Sequence, residues 1–362
     1  MPGFESLSLR LYFIMTESGC SVARSSRLLW EQEVAGSNPA TPTKAFVRFT
    51  KAFFIFIIMD YSILGKKESV QSYIFGFSFI LIMIISSLYF DDKEIILPEV
   101  AALSIGIFTF RENKWLQQPF HIFLLPSITA ILGFGINFFA LPFLLKLVII
   151  LIAMLFTLRV FKSQLAPSLA TGLLPIVTNA HSFLFLFAIF VFVFLLFIFI
   201  KLFKIKPTEQ TSPVIYESHN RLLICLFLIW IVICHFSGYN YYAAIPPVIV
   251  VAFESLNNPS LKLKVRLKRI LALFISSIIG CLTIRYLNNF LLASFIDLMI
   301  VSSLLFFLNL RLPPAFAMVI LPMIMPEKTI EHLPLATFIM STFFIMGIFM
   351  IQKQLYPDPI DF

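Results

Sequence analysis

Few residues in this 362-residue chain have the type and spacing to do chemistry, and those few are charges and prolines embedded in apolar sequence. Glu99 stands in ILPEVAALS, Glu254 in IVVAFESL, Asp297 in SFIDLMIV and Lys146 in PFLLKLVII. A charge at membrane depth costs several kcal/mol unless it is paired or solvated, so each is a candidate site residue. Capping or an interfacial position also accounts for Glu99 and Glu254, and snorkelling to the headgroups accounts for Lys146. Asp297 has no near route to water. Lys146 and Asp297 each fall early in the fourth apolar segment of their half, which allows an ion pair between them.

Other chemistries lack their residues. The five histidines are scattered, without HExxH or HxxxH spacing, and the four cysteines form no CxxC pair. No nucleophile elbow, P-loop or GxGxxG is present. The acidic knot DDKE (91–94) reads as a turn between helices. The expectation is a protein that is not an enzyme and has no metal or other cofactor.

The elements that must position these residues follow from composition. Apolar residues make up 59% of the chain and charged residues 13%, with a mean hydropathy of +0.95. A soluble domain carries about 25% charged residues. So much Phe, Ile and Leu has no place to go except lipid, and runs such as 182–203 are long enough for a spanning helix. The fold class expected is an all-α polytopic membrane protein. The net charge of +8, with the basic run LKLKVRLKR (261–269), reads as a cytoplasmic loop touching anionic headgroups and not as a nucleic-acid patch. The expected partners are the lipid bilayer, a small solute and a second copy of the chain.

Residues 1–58 are expected to be a non-native extension, because AGSNPATPT (35–43) is what the T-arm and acceptor end of a transfer-RNA gene encode when translated. The expected start is Met59. From there twelve apolar segments follow, near 73–90, 95–110, 120–138, 142–160, 165–178 and 183–203, then 221–238, 241–254, 269–287, 291–309, 312–325 and 334–351. The polar stretch 204–220 is a cytoplasmic linker that divides one membrane repeat, 59–203, from another, 221–362.

Lysine and arginine orient the segments. With the N-terminus inside, Lys66, Lys67, Arg111, Lys114, Arg159, Lys162, Lys201, Lys204, Lys206, Arg221, Lys262, Lys264, Arg266, Lys268, Arg269, Arg311 and Lys353 lie in inside loops. Only Lys93, Arg285 and Lys328 lie outside. This asymmetry predicts twelve spans, both termini cytoplasmic, in the plasma membrane.

The halves also align. QLAPSLATGLLPIV (164–177) matches RLPPAFAMVILPMI (311–324) at an offset of 147, ILG (131–133) meets IIG (278–280) at the same offset, and LPEV (97–100) meets IPPV (245–248) one residue later. Six segments per half is an even number, so the halves are expected to be parallel repeats about an axis along the membrane normal. The second and fifth segments of each half are short and Pro-broken. Pro removes a backbone donor and clashes with the preceding turn, and non-helical backbone at that depth is tolerated only inside protein or along a cavity. A solute pathway is therefore expected along Pro167 and Ser168, Pro246 and Pro247, and Pro313 and Pro314, with Glu99, Lys146, Glu254 and Asp297.

LPEVAALSIGIFTFRENKWLQQPFHIFLLPSITAILGFGIN followed by QLAPSLATGLLP resembles the HPP family of integral membrane proteins, through Gln118-Pro119 and Gly133. The family's His-Pro-Pro tripeptide is replaced by Leu165-Ala166-Pro167 in one half and Leu312-Pro313-Pro314 in the other. The resemblance implies membrane transport of a small solute, such as the anion nitrite. A membrane-embedded enzyme, a lipid-handling protein and a non-transporting subunit are the alternatives. Reporter fusions after residues 206 and 353 should both signal cytoplasm; a signal from the opposite side at either position contradicts the orientation.

Overall fold

The computed structural model describes residues 70–207, 217–287 and 289–355. Every described residue belongs to one compact unit. The expected extension 1–58, the start at Met59 and the middle of the 204–220 linker lie outside the described residues.

Every described element is a helix or a helical turn. Among the described residues, eight helices are long and apolar enough to cross a membrane: α1 (Val70–Phe90), α4 (Pro119–Asn137), α5 (Phe143–Val160), α7 (Phe183–Leu202), α8 (Glu217–Ser237), α10 (Leu263–Tyr286), α11 (Phe290–Leu308) and α14 (Leu333–Leu355). The other four expected apolar segments fold as short helices: α2 (Pro98–Phe108), α6 (Pro167–Val177), α9 (Pro246–Leu256) and α12 (Pro314–Ile320). A 3-10 turn, Leu321–Met323, extends α12. The single-turn helices α3 (Asn113–Leu116) and α13 (Glu327–Ile330) lie in connections.

Proline explains where the short helices begin. Each has Pro at its first position, where the missing N–H is no loss and φ is already helical. The chain comes into α2 and α9 extended, through Leu97 and Ile245, as expected for a residue before proline. It comes into α6 and α12 through helical Ala166 and Pro313.

Burial inverts the usual relation of long and short elements. Every residue of α2, α6 and α12 is buried, and in α9 every residue but Glu254. The short helices form the middle of the unit: α2 packs against α6 and α12, and α9 packs against the same two. The long helices surround them and turn apolar side chains outward, among them Ile82, Phe156, Phe187, Phe194 and Ile233.

Several local features recur at a fixed spacing along the chain. The 3-10 turn Lys93–Ile95 returns as Asn240–Tyr242. The left-handed residues Asp91 and Lys162 return as Gly238 and Asn309, each 147 positions later. Contacts of α4 with α5, α6 and α7 return as contacts of α10 with α11, α12 and α14. Contacts between the halves are reciprocal: α1 with α11 and α8 with α5, α2 with α12 and α9 with α6.

Glycine permits the closest of these approaches. A Cβ on Gly133 would lie 2.0 Å from the carbonyl oxygen of Gly172, and one on Gly280 would lie 2.2 Å from that of Val319. Gly133 and Gly280 are again 147 apart, as are Gly172 and Val319. Both obstacles are backbone, so neither can step aside. Gly133→Ala and Gly280→Ala should each cost about 1–3 kcal/mol through overpacking, read as a lower unfolding midpoint in detergent. Gly135→Ala, with nothing within 4 Å of the new methyl, is the neutral control. Equal midpoints for all three would contradict this packing.

Candidate functional site

Polar side chains gather where α2 and α9 end. After α2 the chain turns through left-handed Arg111 and presents Glu112 and Lys114. The Lys114 Nζ donates to Asn258 Oδ1 at 2.9 Å and to the carbonyl oxygen of Asn257 at 3.4 Å. Arg269, on α10, lies 3.8 Å from the Glu254 carboxylate of α9 and donates to Ser255 Oγ at 3.4 Å. Burial pushes the half-buried Glu112 carboxyl up to about 7. The Glu254 charge pushes the same way, against Arg269, Arg311 and Lys114. Burial likewise lowers Lys114, although Glu254 and Glu112 favour its charged form.

Arg266 is fully buried beside this cluster. Its Nε donates to the Leu261 carbonyl at 3.0 Å, and its Nη2 donates to Gln352 Oε1 at 2.7 Å. Gln352 Nε2 in turn donates to the Leu256 carbonyl at 3.0 Å. One guanidinium thus ties α10, α14 and the end of α9 together. The basic run 261–269 is therefore only partly the headgroup-facing loop expected of it. Lys262 and Lys264 are exposed, but Arg266 and Arg269 are buried. Their three-residue spacing, continued by Ile270 and Leu273, marks one inward face of a helix, a signal that a count of charges overlooks.

The other expected site residues stand apart. Lys146 donates to the Asn137 carbonyl at 2.7 Å. Asp297 is fully buried and accepts from Thr283 Oγ1 at 3.1 Å through Oδ2. The ion pair between Lys146 and Asp297 is replaced by these two local arrangements. Ser168 is buried, and its hydroxyl donates to the Leu165 carbonyl at 2.7 Å, so its proton serves its own helix start and not a ligand. Pro246 and Pro247 open α9, and Pro313 and Pro314 open α12. Glu99 lies in the first turn of α2 with both carboxylate oxygens buried and unpartnered. The structure thus brings Glu254 into a polar cluster and leaves Glu99, Lys146 and Asp297 separate.

The DDKE knot is structural. Asp92 Oδ1 accepts from the Glu94 N–H at 2.8 Å, and the Glu94 carboxylate accepts from the N–H groups of His181 and Ser182 at 3.1 and 2.9 Å. Among the described residues, no three of His, Cys, Asp and Glu come together as a metal site. No protein-family model, curated protein or solved structure matches the chain.

Glu112 makes the cluster sensitive to pH. Its folded pKa lies above its unfolded value, so its contribution to stability is full below about pH 4.5 and is lost as pH rises through about 7. Glu112→Gln should flatten the fall in unfolding midpoint across this window and raise stability at pH 8. Partial exposure limits the gain to about 1 kcal/mol. A midpoint–pH profile identical to that of the unsubstituted protein would contradict the assignment.

Proposed function

We propose that this chain is a transporter or channel of the plasma membrane for a small polar solute, with a small anion such as nitrite the leading candidate. The observation that carries the reading is the burial of α2, α6, α9 and α12 against one another. An eleven-residue helix is roughly 16 Å long, about half the hydrocarbon thickness. The rest of each crossing is irregular backbone, which lipid does not tolerate. Broken helices held at the meeting of two halves are where transporters bind their solutes.

Twelve passes fit the contacts better than eight. At one end Glu94 meets His181 and Ser182, Lys93 lies over the Phe290 ring, Asn137 bonds to Ala180, and Tyr242 Oη donates to the Thr329 carbonyl. At the other end Thr109 donates to the Ser72 carbonyl, His121 meets Phe161, Lys114 meets Asn257 and Asn258, and Lys268 meets the Leu308 carbonyl. The connections before and after each short helix fall in opposite groups. An eight-pass path, with the short helices re-entrant, would put Arg111, Lys114, Arg159, Lys162, Arg311 and the 262–269 run outside, against the positive-inside rule.

The offset of 147 in turns, left-handed residues and glycine contacts supports two parallel repeats. Reciprocal contacts between the halves are what a two-fold axis produces. The cytoplasmic orientation of both termini rests on the Lys/Arg asymmetry, and the choice of nitrite rests on the resemblance to the HPP family. A membrane enzyme is the weaker reading, because the DDKE knot is occupied in capping turns and backbone.

Purified protein in proteoliposomes should take up nitrite several-fold faster than protein-free vesicles. Arg269→Gln, which removes the charge facing Glu254, should reduce that uptake. Uptake equal to the protein-free rate for nitrite, nitrate and formate alike would contradict transport of small anions.

A further inference from the structure

Among the charged residues at the centre of the unit, Glu99 has nothing to pair with. Its side chain is 1% exposed, and no group beyond its own backbone N–H reaches Oε1 or Oε2. The helices packed closely on α2 are α1, α6, α7 and α12. Of these, α1, α6 and α12 contain no Asp, Glu, Lys or Arg. Lys201 is the charged residue of α7, in its last turn and at the opposite end from Glu99. The tyrosines of α1 are also distant. Tyr89 is exposed, and Tyr73 lies beside Ser72, which Thr109 bonds beyond the far end of α2. On the approach to α2, Lys93 lies over the Phe290 ring and Glu94 is held by two backbone N–H groups. Buried Ile95, Ile96 and Leu97 separate that rim from Glu99.

An ionised carboxylate in such surroundings costs several kcal/mol, and the neutral acid far less. The N-terminus of α2 offsets at most about 2 kcal/mol of this. A metal cation would need several more ligands, and among the described residues no three of His, Cys, Asp and Glu come together to supply them. The ligand that satisfies the carboxylate by itself is a proton. The second half has Pro247 at the matching position, so the site occurs once per chain.

We propose that Glu99 is a reversible proton-binding site within the ring of short helices, and that its proton accompanies the solute. The coupling rests on the transport reading; the proton site does not. The carboxylate gains a proton from one side as an O–H bond forms, and loses it to the other side as that bond breaks, with no change of oxidation state. A monovalent anion crossing with that proton moves no net charge.

Infrared difference spectra of the unsubstituted protein against Glu99→Gln, in lipid, read the site directly. The expected result is a buried carboxylic-acid carbonyl band at neutral pH, missing from E99Q and lost reversibly as pH is raised. A band already absent at neutral pH, or one unchanged across the titration, overturns the proton site. Pyranine-loaded vesicles given a nitrite gradient then test coupling. The unsubstituted protein should acidify the lumen as nitrite enters, above the protein-free leak, and E99Q should move nitrite with at least tenfold less acidification per nitrite. Nitrite uptake without proton movement in the unsubstituted protein overturns the coupling. A titrating band with no nitrite flux at all leaves the proton site standing and refutes the transport reading instead.

Discussion

The constraint on which this structure depends is that backbone without helical partners cannot face lipid. Each short helix leaves unpaired peptide groups before and after it, and proline fixes where the break falls. Four such pieces in one chain have to be hidden together. They are hidden by packing on one another, with α2 and α9 each lying between α6 and α12, and by the eight long helices around them. The largely apolar outer faces of those helices need no specific partner, since lipid accepts any large apolar side chain.

Close approach in the middle has its own requirements. Gly133 and Gly280 let α4 and α10 ride directly on the backbones of α6 and α12. Thr129 and Thr171 bond each other at 2.6 Å across the first of these contacts, whereas the second sets Ser276 and Met318 at the matching positions. The geometry is thus repeated while the chemistry at it has diverged. Glu99 against Pro247 is the sharper case: one half buries an unpartnered acid where the other has only a ring.

Much of this was legible in the residues. Apolar runs located the helices, prolines located the starts of the short ones, and the offset of 147 in QLAPSLATGLLP and RLPPAFAMVILP recurs in turns and glycine contacts that no alignment of side chains contains. What was not legible is tertiary. Lys146 and Asp297 both needed partners, but sequence could not say that Asn137 and Thr283 were nearer than each other. The inward turn of Arg266 and Arg269 was hidden inside a run whose net charge described only Lys262 and Lys264. Ser168 was expected along a solute pathway, and its acceptor, the Leu165 carbonyl, is a backbone group one turn earlier that side-chain patterns do not reveal.

A twelve-pass path requires the short helices to complete crossings of the membrane. Orientation of the termini does not test it, because eight and twelve are both even. The direct measurement is labelling by a membrane-impermeant maleimide of single cysteines placed at Asp91 and at Arg111, on either side of α2, in a chain with its four native cysteines replaced. Both residues are exposed, so both can react. In sealed cells, position 91 should label from outside and position 111 only after the membrane is opened. Labelling of both positions from the same side would make α2 re-entrant and contradict the twelve-pass arrangement.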